Sequence, residues 1–338
     1  MQYTILGRTG LRVSRTAFGA IPIQRLSVED AGALLRKAYA GGINFIDTAR
    51  AYSDSEEKIG AALGEVRAEL VIATKSHGKD AAEVREHLAT SLRNLRTDYI
   101  DIVQLHNPET LPTADDPRYQ VLQEAKAEGR VRHIGITSHR LSVAREAVAS
   151  GLYDTLQFPL SSISSAEDLA IIEDCRQHNV GLIVMKALCG GLLTNAKAAF
   201  AFLRQYENAV PIWGLQLERE LDEFLALEAD PPALDDELWA VIERDRAELA
   251  GDFCRACGYC LPCPMDIPIP MAARMGLLLR RMPFQQFLAE SWQQNMAKIE
   301  SCTRCNQCAA RCPYHLDPPR LLRKMLEDYR EFAAGARV

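Results

Sequence analysis

Residues Asn44–Gly60 read NFIDTARAYSDSEEKIG, and the fold turns on this stretch. Asn44-Phe45-Ile46 predicts a buried strand that ends on the carboxylate of Asp47. A short loop then presents Tyr52, and Ser55 and Glu56 lead into a helix with Ile59, Leu63 and Val66 on one side. A carboxylate at the C-terminal end of a strand, one loop away from a phenol, is how parallel α/β enzymes assemble their chemistry. A strand-end turn former and a packed tyrosine give the same local pattern, so residues elsewhere must separate the two.

Outward from this stretch the same alternation continues to about residue 225. Candidate strands are Arg15–Gly19, Asn44–Asp47, Leu70–Lys75, Ile100–His106, His133–Thr137, Thr155–Phe158, Gly181–Lys186 and Val210–Gly214. Helical patterns lie between them, at Val28–Ala40, Ala81–Leu95, Arg118–Glu128, Leu141–Ser150 and Glu167–His178. Gly41-Gly42, Gly129 and Asn179-Val180-Gly181 punctuate the junctions. Eight strands with interleaved helices predict a (β/α)8 TIM barrel over residues 1–225. A doubly wound sheet is the alternative, but no GxGxxG follows the first strand, where Gly19 stands alone. Met1–Val13 is expected to form a small hairpin closing the barrel's bottom.

In such a barrel the strand C-termini converge on one mouth. Asp47, Lys75 and His106 end the second, third and fourth strands, and Tyr52 sits on the loop after the second. Lys75 directly follows Val71-Ile72-Ala73-Thr74, which predicts burial. A phenol has an ordinary pKa of about 10, and an ammonium beside it is expected to lower that value. Asp47 would pair with Lys75 and keep it protonated and aimed. His106 would donate a hydrogen bond to a substrate oxygen. Together the four describe proton delivery to a carbonyl oxygen that is becoming an alkoxide. They contain neither a nucleophile nor a metal cluster, so a reductant has to come from elsewhere.

The blocks YTILGRTGLRVSRTAFGA, GINFIDTARAYSDSEEKIG, LVIATKS, DIVQLHNPE, VRHIGITSH, LQFPLSS and VGLIVMKALCGGLL follow one another through this region. In that order the sequence resembles the aldo-keto reductases, from its start to about residue 225. The resemblance implies a barrel that binds a nicotinamide cofactor, NAD(P)(H), in extended form without the Rossmann fingerprint. It implies hydride transfer between that cofactor and an aldehyde or ketone, or back from an alcohol. Tyr52 becomes the general acid, with Asp47, Lys75 and His106 as its partners. Ser138 and Gln157 match family positions that hold the nicotinamide carboxamide, and His139 stands where many members have Asn. Gly190-Gly191, after the seventh strand, either build a phosphate site from backbone N–H groups or form a plain tight turn. Gly19, Gly214 and Arg219 complete the candidate cofactor contacts. Arg219 is the single basic residue in Ile212–Phe224, and neighbouring carboxylates would repel a 2′-phosphate, which favours NADH over NADPH.

The rest of the chain carries a second kind of chemistry. A net charge of −6 gives no broad basic surface for nucleic acid or an anionic membrane. No signal peptide is read in MQYTILGRTGLRVS and no window suffices to span a bilayer, so a cytoplasmic location is expected. Ten cysteines are then unusual unless they bind something. Eight of them form two runs, Cys254-x2-Cys257-x2-Cys260-x2-Cys263-Pro264 and Cys302-x2-Cys305-x2-Cys308-x3-Cys312-Pro313. The second has the bacterial ferredoxin spacing and the first is one residue shorter, so two [4Fe-4S] clusters are expected, with zinc as the competing ligand and disulfides a poorer fit. In two-cluster ferredoxins the fourth cysteine serves the other cluster. That analogy groups Cys254, Cys257, Cys260 and Cys312 against Cys302, Cys305, Cys308 and Cys263. Cys175 and Cys189 are expected to be unliganded.

Residues 226–250, with Pro231-Pro232 and a charged helix pattern over Asp235–Leu249, predict a linker helix. Residues 251–338 then form a small, mainly helical ferredoxin-like domain. Its insert Ile269–Ile299 reads as two helices broken near Pro283, and Arg320–Phe332 as a packing helix. Three functions fit. The leading one is a carbonyl reductase or alcohol dehydrogenase for a small molecule, whose cluster domain exchanges electrons with an electron-transfer protein. In the second the clusters are structural or oxygen-sensing. In the third the barrel binds a nucleotide without catalysis and reports redox state. Hydride transfer moves two electrons and a cubane usually one, and no flavin signature bridges them in the sequence.

Overall fold

The computed structural model describes residues 1–249, 253–281 and 284–335. The chain divides into two compact units, Met1–Ala187 with Ala196–Trp239, and Leu188–Asn195 with Ala240–Val338.

The first unit opens with the expected hairpin, β1 (Tyr3–Ile5) antiparallel to β2 (Arg12–Ser14). Eight parallel strands follow: β3 (Ala17–Gly19), β4 (Phe45–Asp47), β5 (Val71–Ser76), β6 (Ile100–His106), β7 (Val131–Thr137), β8 (Thr155–Pro159), β9 (Gly181–Met185) and β10 (Ala209–Gly214). They close in chain order, with β10 paired to β3, so the sheet is the (β/α)8 barrel and not the doubly wound alternative. Leu6 and Val13 flank the hairpin and pack with Ala17, Phe45, Val71 and Ile102 in the barrel core. Gly7 makes this approach possible. Its φ is +50°, and a Cβ there would lie 2.3 Å from the backbone nitrogen of Gly181.

The barrel interior is layered because side chains alternate along each strand. Phe45 precedes Asp47 on one face of β4, Val71 and Ala73 precede Lys75 on β5, and Ile102 precedes Gln104 and His106 on β6. The first residues of each series belong to the apolar core cluster. The polar ones therefore collect toward the strand C-termini. Local caps fix the surrounding helices. Ser27 accepts from the Asp30 N–H at the start of Val28–Ala40, and Asp80 from the Glu83 N–H at the start of Ala81–Asn94. The helix expected over Glu167–His178 is two, Ala166–Leu169 and Ile171–Gln177.

The second unit is helical, as expected, though in shorter pieces. Ile269–Ala272, Met275–Arg281, Glu290–Ala297 and Gln307–Ala310 are short helices, and Pro318–Gly335 is the long one. The break expected near Pro283 falls outside the described residues. The long helix buries Leu321, Leu322, Leu326 and Tyr329, and the Tyr329 hydroxyl donates to the Phe287 carbonyl at 2.8 Å. The predicted linker pattern is helical over Asp236–Glu248, and its last residue, Ala250, is likewise outside the described residues. Among the described residues no helix is long and apolar enough to cross a membrane.

Candidate active site

The structure brings Asp47, Lys75, Tyr52 and His106 together. Lys75 Nζ lies 2.6 Å from Asp47 Oδ2 and also donates to the Thr48 carbonyl at 2.6 Å. Both side chains of the pair are buried, with 1% and 3% exposure. The ammonium stands 5.2 Å from the centre of the Tyr52 ring. The Tyr52 and His106 rings meet edge-on, 6.2 Å apart.

The loop that carries Tyr52 is anchored from below. Buried Glu56 accepts from the Thr74 and Ser91 hydroxyls at 2.6 and 2.7 Å and pairs with Arg50. Arg50 in turn donates to the Ser53 carbonyl at 3.2 Å, and the Thr48 and Ser55 hydroxyls bond at 2.9 Å. Two ends of one loop are thus tied to the strand and helix that flank it.

Burial sets the protonation of this group. It holds the Asp47 carboxyl above its ordinary value, with Lys75, Gln157 and Gln104 pulling the other way. It also raises Tyr52, more than Lys75 lowers it. That reverses the direction expected from sequence: the ammonium faces Asp47, whose opposite charge acts on the phenol too, and desolvation of the phenolate prevails. Tyr52 is accordingly a proton donor that stays protonated at neutral pH. His106 is lowered to about 3 by burial, then by Lys75 and His77. Burial also pushes His139 well below its ordinary value, aided by Lys186 and His106.

A pH dependence follows. Carbonyl reduction should show no inflection near 6.5, because His106 and His139 are already neutral there, and should hold level to beyond about pH 9. An acid limb centred near 6.5 in kcat would contradict the site. Stability runs the other way. The unfolded histidine binds a proton that folded His106 refuses between 6.5 and about 3, so stability is present above 6.5 and is lost as pH falls through that window. Thermal melts across pH 4–7 would measure it.

One member was not singled out from sequence. Gln104 is fully buried on β6, two residues before His106. Its Nε2 donates to Gln157 Oε1 at 2.8 Å and contacts Asp47 Oδ1 at 3.4 Å. Gly135 leaves the space for it, since a Cβ there would fall 2.2 Å from Thr155 Oγ1 and 3.0 Å from Gln104 Cγ. The signal was the alternation Ile102, Gln104, His106, which points an amide into the barrel.

The expected cofactor contacts fall in several places. Gln157 accepts from Gln104 and helps to lower the Asp47 carboxyl against the effect of burial. The Ser138 hydroxyl is engaged in a local turn, donating to the Arg140 carbonyl at 3.1 Å and accepting the Arg140 N–H at 3.0 Å. His139 is buried. Gly19 and Gly214 end paired strands β3 and β10, with Gly214 and Arg219 exposed. Gly190 and Gly191 lie in the segment grouped with the second unit. There the Gly191 N–H closes a tight turn on the Leu188 carbonyl at 2.9 Å, while Arg274 donates to the Cys189 and Gly190 carbonyls.

In the second unit the eight cysteines surround two cavities. Cys254, Cys257, Cys260 and Cys312 line one. Cys263, Cys302, Cys305 and Cys308 line the other, which Cys260 also borders. All ten cysteines are free of disulfides, and Cys175 is buried in the barrel unit.

A closed parallel barrel with a tyrosine, a buried lysine–carboxylate pair and a histidine at its mouth defines a class of oxidoreductase fold. Residues 16–231 match the aldo/keto reductase family and residues 253–317 a 4Fe-4S dicluster domain. The chain belongs to the aldo/keto reductase family and carries a 4Fe-4S dicluster domain after its barrel. L-galactose dehydrogenase of Arabidopsis thaliana is 33% identical over 210 residues, covering 56% of this chain and 66% of that protein. A probable voltage-gated potassium channel subunit beta of Oryza sativa is 37% identical over 135 residues, 35% of this chain and 41% of that protein. The chain thus spans about two thirds of the first relative and less than half of the second. An aldo-keto reductase from Bacillus halodurans superposes with a TM-score of 0.64 at 22% identity, over 72% of this chain and 96% of that one, which shows the fold.

Proposed function

We propose that the barrel reduces a small aldehyde or ketone, or oxidises the corresponding alcohol, with a nicotinamide cofactor. The carrying observation is the Tyr52 ring held beside the buried Lys75–Asp47 pair, with the His106 ring edge-on to it. When bound, the reduced nicotinamide supplies the hydride. Tyr52 Oη gives its proton to the substrate oxygen as negative charge develops there. Lys75 orients that hydroxyl and stabilises the phenolate left behind, and Asp47 keeps the lysine aimed. Neutral His106 donates one ring N–H to the same oxygen and takes no proton itself. Ser138, His139 and Gln157 are proposed to hold the nicotinamide end, with Gly19, Gly214 and Arg219 along the remainder.

NADH is the proposed partner. Glu220 already accepts the Gln216 and Leu217 N–H groups at 2.8 and 2.9 Å, closing the N-terminus of helix Glu218–Ala229 that would otherwise attract a 2′-phosphate. Glu218 and Asp222 flank Arg219 and pair with Lys37.

Each cysteine cavity is ringed by thiols of the proposed cluster-ligand set, four in the first and five in the second, where Cys260 adjoins. Three evenly spaced cysteines followed by Cys-Pro, twice over, favour iron–sulfur over zinc. Cys254, Cys257, Cys260 and Cys312 would hold one [4Fe-4S] cluster and Cys263, Cys302, Cys305 and Cys308 the other. Such clusters carry single electrons, here exchanged with a partner protein, in a reducing compartment such as the cytoplasm.

Anaerobically purified protein should contain about eight iron and eight sulfide per chain. It should oxidise NADH faster than NADPH with 4-nitrobenzaldehyde. Iron near zero, or zinc in its place, would sink the cluster assignment, and silence toward aldehydes with both cofactors would sink the reductase. The likeness to a channel subunit favours one second reading, a barrel that binds nucleotide and reports redox state without turnover. It predicts nucleotide binding with no aldehyde reduction.

A further inference from the structure

The two cysteine cavities meet solvent differently. Around the first, Cys254, Cys257 and Cys312 are half-buried and Cys260 is buried. Arg255 covers that side, 4.4 Å above the Tyr314 ring and 5.1 Å from the Phe253 ring. At the second, residues 303–307 are exposed without interruption, and Cys305 is the exposed cysteine of the ten. An open cleft of about 570 Å³ adjoins this second cavity and shares Pro262, Cys263 and Ile267 with it. Leu261, on its lip, is 42% exposed.

The segment that carries this edge is basic in an acidic chain. Residues 298–324 contain six basic residues, Lys298, Arg304, Arg311, Arg320, Arg323 and Lys324, against Glu300 and Asp317, a balance of +4 where the whole chain carries −6. The nearby carboxylates are engaged, Glu300 with Arg330 and Asp266 with Lys298, both at 2.7 Å. Among the described residues the exposed Arg304 side chain has no hydrogen-bond or ion-pair partner. Arg311 donates to the Pro262 carbonyl and to Gln307 Oε1, with no carboxylate among those contacts. Unpaired exposed cations at the rim of a site steer an encounter rather than hold the fold.

We propose that the exposed edge Thr303–Gln307, with Arg304 and Arg311, is the docking face for a small acidic one-electron carrier protein, served by the thiols Cys263, Cys302, Cys305 and Cys308. The proposal rests on the electron exchange proposed above and adds where it happens and with what partner chemistry. One electron leaves the reduced protein and reduces the carrier by one; no bond forms or breaks. Redox encounters of this kind use small interfaces, which suits a short edge beside a cleft.

The test uses the full chain with its iron intact, reduced by dithionite and mixed in a stopped-flow instrument with an oxidised acidic [2Fe-2S] ferredoxin. The second-order rate should fall steeply with ionic strength. Arg304→Glu should lower it at least about tenfold and weaken binding in calorimetry to a similar degree. Arg255→Glu, at the other cavity, should change it by less than about twofold. Iron content and the spectrum of the reduced protein serve as controls for each variant. A rate indifferent to Arg304→Glu, or slowed by Arg255→Glu instead, overturns the docking face. Ferricyanide separates the two levels. If it oxidises the protein normally while Arg304 proves silent toward ferredoxin, the docking face alone falls; if neither acceptor takes an electron, the exchange falls with it.

Discussion

Tyr52→Phe should lower kcat for aldehyde reduction by about 10³-fold while leaving the barrel and the iron content intact. The substitution removes one oxygen. The ring keeps its edge-on contact with His106 and its place near Lys75. The Lys75–Asp47 pair is closed on itself and on the Thr48 carbonyl, so no buried charge is stranded. KM should move little, since the lost proton matters most where charge appears on the substrate oxygen. Steady-state kinetics with NADH and 4-nitrobenzaldehyde would measure this. A variant that retains a tenth or more of wild-type kcat would remove Tyr52 from the role of general acid.

The second large effect is on folding. Asp47→Asn should cost about 3–5 kcal/mol, because it leaves the ammonium of Lys75 buried with a carbonyl and an amide in place of its carboxylate. Activity should fall with it, as the lysine loses the group that aims it. The double variant Asp47→Asn/Lys75→Met removes both charges and should recover most of the stability but none of the activity. Urea unfolding of the three proteins gives the first quantity and turnover the second. Equal stability of the single variant and the wild type would mean the lysine is neutral in the folded protein.

Much of this site could be read in the sequence, because Asp47, Lys75 and His106 lie at strand ends and a parallel barrel sends strand ends to one place. Asp47, Lys75 and His106 could be placed before any side-chain contact was known, and β6 and helix Val28–Ala40 have the bounds that periodicity implied. What stayed hidden depended on contacts distant in sequence. Gln104 looks like a stray polar residue until β6 closes against β7, where Gly135 makes its room. The direction of the Tyr52 shift was misjudged for a similar reason. Sequence puts an ammonium near the phenol, but only packing shows that burial of the phenol outweighs it. The turn at Gly190–Gly191 was one of two readings its position after a strand left open, and only the fold shows the Gly191 N–H bonded to the Leu188 carbonyl.

The crossing of cysteines between the two cavities bears on how the second unit is made. Cys312 lies with the first three thiols and Cys263 with the later three. A chain still emerging from the ribosome at residue 300 offers neither cavity a full set of donors. Neither set can therefore be complete until the second cysteine run has been made. Truncation between Cys263 and Cys302 would take Cys312 from the earlier proposed set as well as three thiols from the later one, a failure that the order of the motifs along the chain would not suggest.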